Sequence, residues 1–189
     1  MKEPFLETIL RRSRIRKVLP TIRKYHDCRL LDVGCGWDCR LLKTIAPFIG
    51  YGVGIDYKVQ ELELAKIKTV RMRITDALPF APESFDVVTM LAVLEHLSEP
   101  VGMMREIERI LKKGGSLILT VPTIIAQPVL EFLSYRLGIV NVDEIRDHKK
   151  YYNYEELKIL FSQTGMVMES HRYFQMGMNN FSIVKKAPQ

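Results

Sequence analysis

Residues 30–38 read LLDVGCGWD, an apolar run that passes directly into a turn with two glycines. The run predicts a buried strand over 29–33, and Leu41, Leu42 and Ile45 predict a helix behind the turn. Glycines between a strand and a helix let the backbone approach a ligand that a Cβ would exclude. The helix that follows offers free N–H donors at its start. Residues 34–39, hereafter the glycine loop, are therefore a candidate ligand site.

Outward from this stretch, short apolar runs alternate with helical stretches as far as residue 122. Further strands are predicted at 50–56, 70–75, 85–91 and 116–121, and further helices at 60–67 and 101–111. Such alternation is typical of βαβ units, so we predict an α/β fold with a doubly wound, mostly parallel sheet and helices on both faces. In such folds the ligand lies beyond the carboxyl ends of the strands, at the switch point beside the first strand.

The two ends of the chain depart from this alternation. Apolar residues over 5–22 fall at helical spacing and predict one or two short helices, with Pro20 breaking the run. Residues 123–150 contain no clean strand, although 129–137 has a helical pattern. Asn153 is placed to cap a helix over 154–163, and strands at 167–175 and 180–186 should form an antiparallel pair at the sheet edge.

Charge is distributed unevenly along the 189 residues, whose net charge is +6. Residues 1–27 carry eight basic and three acidic side chains, so the rest of the chain is almost neutral. The basic segment is either a solvated face or a patch that attracts phosphate, anionic lipid or an acidic ligand. No apolar run reaches the ~20 residues of a membrane span, and no signal peptide is visible, so we expect a cytoplasmic protein.

Asp56 stands twenty residues beyond Gly36, at the end of the second predicted strand. A carboxylate there is placed to accept hydrogen bonds from the hydroxyls of a ribose. The dinucleotide fingerprint requires a third glycine after Gly34 and Gly36, but Asp38 and its neighbours occupy that part of the loop. Because a carboxylate at Asp38 repels a pyrophosphate, the pattern favours a cofactor that contains a nucleoside but is not a dinucleotide.

Three further blocks complete the pattern. They are DALPF at 76–80, FDVVTMLAVLEHL at 85–97 and LKKGGSLILTVP at 111–122. With these blocks the chain resembles the class I S-adenosylmethionine-dependent methyltransferases, especially the small-molecule branch that includes quinone-biosynthesis methyltransferases. The resemblance covers roughly residues 29–122, with a looser match over 148–186. It implies a seven-stranded sheet in the order 3-2-1-4-5-7-6, with strand 7 antiparallel, and S-adenosylmethionine as the cofactor.

The resemblance also implies a contact for each cofactor-binding residue. Asp32 would meet the amino group of the cofactor, and Gly34 and Gly36 would pass under its methionine part. Asp56 would hold the ribose, with Tyr57 against the adenine. The remaining adenine and amino-acid contacts would come from Asp76, Ala77 and Leu91. Many relatives have a small residue where Asp38 stands, which is a departure from the family pattern in the loop.

The expected chemistry is in-line methyl transfer to a small-molecule or lipid-like acceptor. A hydroxyl acceptor benefits from a general base, and the candidates are His96, beside Glu95, and His148. Both could instead be structural, and Tyr151, Tyr152 and Tyr154 could line the acceptor pocket or pack. Glu95 and Glu99 alone do not form the acidic cluster of a metal-dependent type, so we expect no metal.

Other classes of function have weaker support. The residues after the fourth strand lack the Pro-Pro-aromatic motif of nucleic-acid amino methylation, and a near-neutral body gives no strong nucleic-acid signal. Cys28, Cys35 and Cys39 lack paired zinc spacing and are expected to be reduced thiols. A non-enzymatic cofactor-binding or partner-regulating domain and an RNA- or membrane-associated methyltransferase stay open, including weak contact of the basic segment with anionic membranes. The oligomeric state is not indicated.

The chain should form one domain with four parts. These are a basic N-terminal helical segment (1–27), a cofactor-binding core (28–122), a lid-like insertion (123–150) and the last helix with the edge strands (151–189).

Overall fold

The computed structural model describes residues 5–74, 77–136 and 142–187. In chain order the elements are α1 Phe5–Ile22, β1 Arg29–Val33, α2 Arg40–Ile45, β2 Tyr51–Asp56, β3 Leu62–Leu64, β4 Ile67–Arg71, β5 Phe85–Leu91, α3 Pro100–Ile110, β6 Leu111–Pro122, α4 Ala126–Tyr135, α5 Val142–Arg146, α6 Tyr154–Ser162, β7 Met166–Phe174 and β8 Asn179–Lys186. Short 3₁₀ turns at Ala46–Phe48 and Leu94–His96 follow α2 and β5.

The strands form one mixed sheet in the order β3-β4-β2-β1-β5-β6-β8-β7. The five central strands, β4, β2, β1, β5 and β6, are parallel to one another, whereas β8 is antiparallel to both β6 and β7. When the short strand β3 is set aside, this is the predicted order 3-2-1-4-5-7-6. The predicted sheet is therefore confirmed, with one strand added at its edge.

The helix predicted over 60–67 is wrong, because this segment forms the β3–β4 hairpin. Leu62 pairs with Thr69 and Leu64 with Ile67. The hydroxyl of Thr69 reinforces the pairing, because it accepts from the Leu62 N–H at 3.0 Å and donates to the Gln60 carbonyl at 2.6 Å. Residues 61–64 alternate polar and apolar side chains, a period of two that favours a strand over a helix. The third strand accordingly begins at Ile67 rather than at residue 70.

The N-terminal segment is a single helix, not two, and Pro20 lies inside its last turn. A proline in a helix removes one backbone donor and its ring crowds the carbonyl four residues earlier, so Pro20 disfavours the last turn of α1. Ile15, Val18 and Ile22 are buried on one side of α1, so tertiary packing holds the helix together through the proline.

Helices cover both faces of the sheet, and none in the described ranges is long and apolar enough to span a bilayer. One apolar cluster packs the α3 and α6 side chains Met103, Ile107, Leu157 and Phe161 against the strands. A second cluster joins α1 and α2 to the sheet through Val18, Leu42 and Ile45. The predicted cap of the last helix is present as a capping box, in which Asn153 accepts from the Glu156 N–H and Glu156 accepts from the Asn153 N–H.

Within 123–150 the structure has two helices, α4 and α5, and no strand among the residues it describes. The predicted end of the first of these helices, Leu137, lies outside the described residues. The turns that follow β1, β2 and β5 all leave the sheet at the same edge, since these strands are parallel. The candidate site is built on that edge.

Candidate functional site

The glycine loop is held by the end of the neighbouring strand. The N–H groups of Gly34 and Cys35 both donate to the Ile55 carbonyl, at 2.9 and 3.1 Å. The Gly36 N–H donates to Asp56 Oδ2 at 3.0 Å, and Asp56 Oδ1 accepts from the Lys58 N–H at 2.8 Å. Asp56 therefore fixes the loop as well as ending β2. A carboxylate has about four acceptor positions, so two remain on Asp56 for further donors such as the hydroxyl groups of a ligand.

The two glycines of the loop are required for different reasons. Both have positive φ, +75° at Gly34 and +72° at Gly36, which disfavours residues with a side chain. A Cβ at Gly34 would collide with Val93, in the turn after β5. A Cβ at Gly36 would meet no atom within 4 Å, so this glycine faces open space at the edge of the sheet. Gly34 thus permits close packing of two loops, and Gly36 provides an open backbone cradle.

Asp32, on β1, is only 3% exposed. Its Oδ1 accepts from the Thr89 hydroxyl on β5 at 2.7 Å. Burial raises the pKa of the Asp32 carboxyl to about 7, the Thr89 hydrogen bond opposes this rise, and the nearby Asp56 charge adds to it. Two carboxyl groups close together, one of them with a raised pKa, form a site that a cationic amino group would stabilise.

The other predicted cofactor residues are placed as follows. Tyr57 follows β2 with its ring 52% exposed, and the Lys58 ammonium lies 4.9 Å from the ring centroid. Ala77 is exposed, and Leu91 is the last residue of β5. Asp76 lies outside the described residues. The geometry thus joins Asp32, Asp56 and the two glycines at one edge of the sheet, next to the end of β5.

Asp38, the departure from the family pattern, is paired with two cations. Its carboxylate lies 3.2 Å from Arg11 Nη1 of α1 and 3.2 Å from Arg40 Nε at the start of α2. The side chains of Asp38 and Arg11 are 12% and 20% exposed, so this pair is largely screened from water. Asp38 therefore joins the N-terminal helix to the glycine loop.

His96 ends the 3₁₀ turn that follows β5, and its Nδ1 lies 3.0 Å from Asp147 Oδ2. An ionised carboxylate can only accept a hydrogen bond, so Nδ1 carries the hydrogen of this pair. In the neutral ring, Nε2 is then the proton acceptor. Asp147 and His96 have the arrangement of a histidine base oriented by a carboxylate.

His148 is next to His96, with 4.8 Å between the ring centroids. The N–H of Lys149 donates to the Glu95 carbonyl at 2.7 Å, which ties the segment after α5 to the turn after β5. His148 Nδ1 lies 3.0 Å from the Tyr151 hydroxyl. Burial, with the charges of His96 and Arg14, lowers the pKa of His148 to about 4, so the ring is neutral at pH 7.

Sequence reasoning missed Asp147. That the N-terminal helical segment, together with residues 123–150, covers the acceptor was expected from the sequence and stays a prediction. Asp147 directly precedes His148, but nothing in its spacing shows that it binds the other histidine, 51 positions away. Tyr151 contacts His148, whereas Tyr152 is buried in the core and Tyr154 stacks on His171. The predicted acceptor residues are therefore only partly brought together.

One group of side chains could bind a metal ion. Ligand atoms of Glu95, His96 and His148 all lie within 4.8 Å of one another. Two imidazoles and a carboxylate suit a divalent transition ion. The expected absence of a metal stays a prediction, which metal removal and elemental analysis can test.

The family model described as "Methyltransferase domain" matches residues 31–119. The ubiquinone biosynthesis O-methyltransferase of Ruegeria pomeroyi is 30% identical over 164 residues, which are 78% of this chain and 63% of that protein. The demethylmenaquinone methyltransferase of Staphylococcus aureus is 29% identical over 175 residues, 79% of this chain and 72% of that protein. The chain thus spans less than two thirds of the first relative's length.

A solved structure of an S-adenosylmethionine-dependent methyltransferase from Methanosarcina mazei has the same fold, with a TM-score of 0.66 and 19% sequence identity. The likeness covers 90% of this chain and 98% of that one. The family match over residues 31–119 spans the glycine loop and Asp56. Residues 31–119 therefore match the methyltransferase domain, and the chain has the fold of a solved S-adenosylmethionine-dependent methyltransferase.

Proposed function

We propose that the protein transfers a methyl group from S-adenosylmethionine to a small-molecule acceptor. The observation that carries the proposal is the bond between Asp56 and the Gly36 N–H, because it joins the ribose carboxylate to the open backbone cradle. The quinone-related names of two relatives favour a small, largely apolar acceptor with a ring hydroxyl or ring carbon to be methylated.

Different residues at the edge of the sheet bind different parts of the cofactor. Asp56 accepts from the ribose hydroxyls, and Asp32 faces the cationic amino group. The chain passes under the methionine part at Gly34 and Gly36, and a side chain at Gly36, whose Cβ position is open, would obstruct the cofactor. Tyr57 covers the adenine, with Ala77 at its edge, and the Leu91 carbonyl accepts from the amino-acid end. When bound, S-adenosylmethionine supplies a methyl group already activated on a sulfonium for in-line transfer.

On the acceptor side, His96 accepts a proton at Nε2 while Asp147 holds Nδ1. This step matters for an oxygen acceptor, whose proton must leave as the methyl group arrives. His148, neutral and bonded to Tyr151, fixes the wall of the pocket and orients the acceptor. Residues 28–122 thus bind the cofactor, and α1 with residues 123–150 covers the acceptor and excludes water.

The test is a transfer assay with S-adenosylmethionine labelled on its methyl group. The full chain is incubated with a panel of hydroxylated aromatic acceptors and, separately, of quinols with short apolar tails. Mass spectrometry then detects the methylated product and adenosylhomocysteine in equal amounts. Cofactor binding by calorimetry without turnover on any acceptor would favour the non-enzymatic alternative, and absence of binding would overturn the proposal.

A further inference from the structure

Two segments that are distant in sequence bring together a group of three side chains, hereafter the histidine cluster (Glu95, His96 and His148). Glu95 and His96 belong to the 3₁₀ turn after β5, and His148 follows α5. The Glu95 carbonyl accepts from the Lys149 N–H at 2.7 Å, so a backbone bond holds the two segments together. Glu95 is only 1% exposed, and ligand atoms of the three side chains lie within 4.8 Å of one another. The cluster is therefore fixed by the fold.

Both imidazole rings of the cluster are oriented by a second bond. His96 Nδ1 lies 3.0 Å from Asp147 Oδ2, and His148 Nδ1 lies 3.0 Å from the Tyr151 hydroxyl, which can accept as well as donate. Histidines that bind metal ions in proteins nearly always donate their other ring N–H to a neighbouring acceptor such as a carboxylate. With both Nδ1 atoms engaged, the Nε2 atoms of the two rings are the nitrogens left for an ion.

The ligand set of the cluster indicates which ion it would bind. Two imidazoles and one carboxylate are the ligands of catalytic zinc sites, in which a fourth position stays exchangeable. Zinc binds nitrogen and oxygen at about 2.0–2.2 Å, so two atoms bound tetrahedrally to one ion are about 3.4 Å apart. Ligand atoms within 4.8 Å of one another need to approach by at most about 1.4 Å, which small side-chain rotations supply. Mg²⁺ and Ca²⁺ prefer oxygen ligands, so the cluster selects zinc or a similar transition ion.

The charges around the cluster also favour a cation. Glu95 is itself a ligand, and the charge of Asp147 acts on His148. The positive charges that act on His148 come from Arg14 of α1 and from His96 when its ring is protonated. A bound ion takes the place of that proton, which leaves Arg14 as the opposing charge. Among these groups the two carboxylates outweigh the one guanidinium, so they attract a cation to the space between the rings.

We propose that the histidine cluster binds a zinc ion reversibly and that the bound ion inhibits methyl transfer. The inhibition rests on the proposed function, because the ion takes the Nε2 lone pair with which His96 accepts the proton of the acceptor. The binding itself rests only on the geometry of the cluster. The side chain of His96 is 28% exposed, which gives an ion a path from solvent. Zinc is thus an external regulator, and the transfer step itself needs no metal.

Calorimetry with zinc chloride on the full chain, dialysed against EDTA and then freed of EDTA, tests the binding. We expect one equivalent of zinc to bind and magnesium chloride to give no binding heat. D147N removes no ligand but frees the His96 ring, and such outer partners contribute about 10- to 100-fold in metal affinity. H148Q and E95Q each remove a ligand and should weaken zinc binding further. The matched control is H26Q, the same change at an exposed histidine outside the cluster, and it should bind like the wild type.

Cobalt(II) supplies a readout that does not depend on activity. Its visible absorption intensifies when the ion is bound tetrahedrally, so the wild type and H26Q should show this band and H148Q should not. Circular dichroism confirms that each variant is folded. Because the Asp147 side chain is 64% exposed, D147N is the variant least affected by changes in packing. Zinc affinity equal to that of the wild type in D147N, H148Q and E95Q would overturn the proposed site.

The transfer assay separates this inference from the proposed function. Saturating zinc should lower the rate of transfer to an oxygen acceptor by about the 10²- to 10⁴-fold that a general base contributes, and EDTA should restore it. H26Q should be inhibited like the wild type. A rate that zinc leaves unchanged or raises would overturn the inference while the proposed function stands. Absence of transfer to any acceptor would overturn the proposed function and the inhibition, whereas zinc binding by the cluster would still be measurable.

Discussion

Asp38 of the glycine loop and Arg11 of the N-terminal helix form an ion pair with 3.2 Å between their charged groups. The two residues are 27 positions apart, on either side of β1. Asp38 is the residue that departs from the family pattern, and Arg11 lies in the segment that carries most of the net charge. The pair explains why the loop tolerates an acid at position 38 and why the helix carries a cation opposite it, because each charge compensates the other.

We predict that D38N weakens adenosylhomocysteine binding about two- to fivefold. A partly screened ion pair contributes about 0.2–1 kcal/mol, and its loss loosens the loop that forms the cradle. Calorimetry measures the affinity. R11Q, which leaves the Arg40–Asp38 pair in place, should weaken binding less, and R12Q, at the exposed neighbour of Arg11, should have no effect. Wild-type affinity in both D38N and R11Q would show that the pair does not act on the cradle.

Substitution of Asp56 should have the largest effect on cofactor binding. We expect D56A to lose about 1.5–3 kcal/mol of binding free energy, the scale of hydrogen bonds to a charged group. Because Asp56 also accepts from the Gly36 N–H, D56A removes the ribose contact and the loop contact together. A 2′-deoxy analogue of adenosylhomocysteine lacks one ribose hydroxyl and therefore tests the ribose contact alone. It should bind the wild type more weakly than the parent ligand, and D56A should bind the two ligands equally.

His96 and Asp147 should act on turnover and not on cofactor affinity. A positioned general base contributes about 10²- to 10⁴-fold, so we expect H96A to lower kcat by that range for an oxygen acceptor. D147N should lower kcat less than H96A does, because His96 stays in place and loses only the carboxylate that orients it. H26A, at an exposed histidine away from the site, is the control. Wild-type kcat in H96A would remove His96 from the catalytic residues.

The pKa of His148 predicts a pH dependence of stability. Its folded-state pKa is about 4, below the ordinary value of 6.5, so the unfolded chain binds more protons than the folded chain between these values. The contribution of this histidine is complete above pH 6.5 and is lost as the pH falls towards 4. Denaturant titrations at several pH values should therefore show a weaker fall in H148Q than in the wild type. Parallel curves for the two proteins would contradict the burial of this ring.

Metal removal tests the expectation of a metal-independent enzyme. We predict that dialysis against EDTA leaves the transfer rate unchanged and that elemental analysis finds no stoichiometric metal. The alternative is a divalent ion bound by Glu95, His96 and His148, whose ligand atoms lie within 4.8 Å. One equivalent of metal in the wild type, absent from E95Q, would show that the site is a metal centre.

Much of the architecture could be predicted because it depends on local pattern. The β-branched and leucine-rich runs at Arg29–Val33 and Phe85–Leu91 are buried strands in the structure as in the prediction. The main error, a helix over 60–67, arose from a short segment in which the helical and strand periods compete. Pairing of Leu62 with Thr69 decides the strand, and that contact is not local.

The residues on the cofactor side of the site were easier to predict from the sequence than those on the acceptor side. Asp32, Gly34, Gly36 and Asp56 lie at the ends of adjacent parallel strands, so their spacing along the chain translates directly into proximity. His96 and His148 meet for another reason, namely that the Lys149 N–H binds the Glu95 carbonyl. A backbone hydrogen bond between two loops leaves no periodic pattern in the amino-acid sequence, so it could not be predicted.

The sequence by itself determined the alternation of strands and helices, the glycine loop and the carboxylate beside it, because strand periodicity and glycine geometry are properties of short stretches of chain. The strand order followed from the family resemblance that these motifs carry. Only the tertiary structure decided that Arg11 pairs with Asp38, that Asp147 bonds His96 and that α4 leaves Val129, Phe132 and Tyr135 exposed. Each of these depends on how helices and loops distant in sequence pack on the finished sheet, where burial and charge are set by neighbours and not by position along the chain.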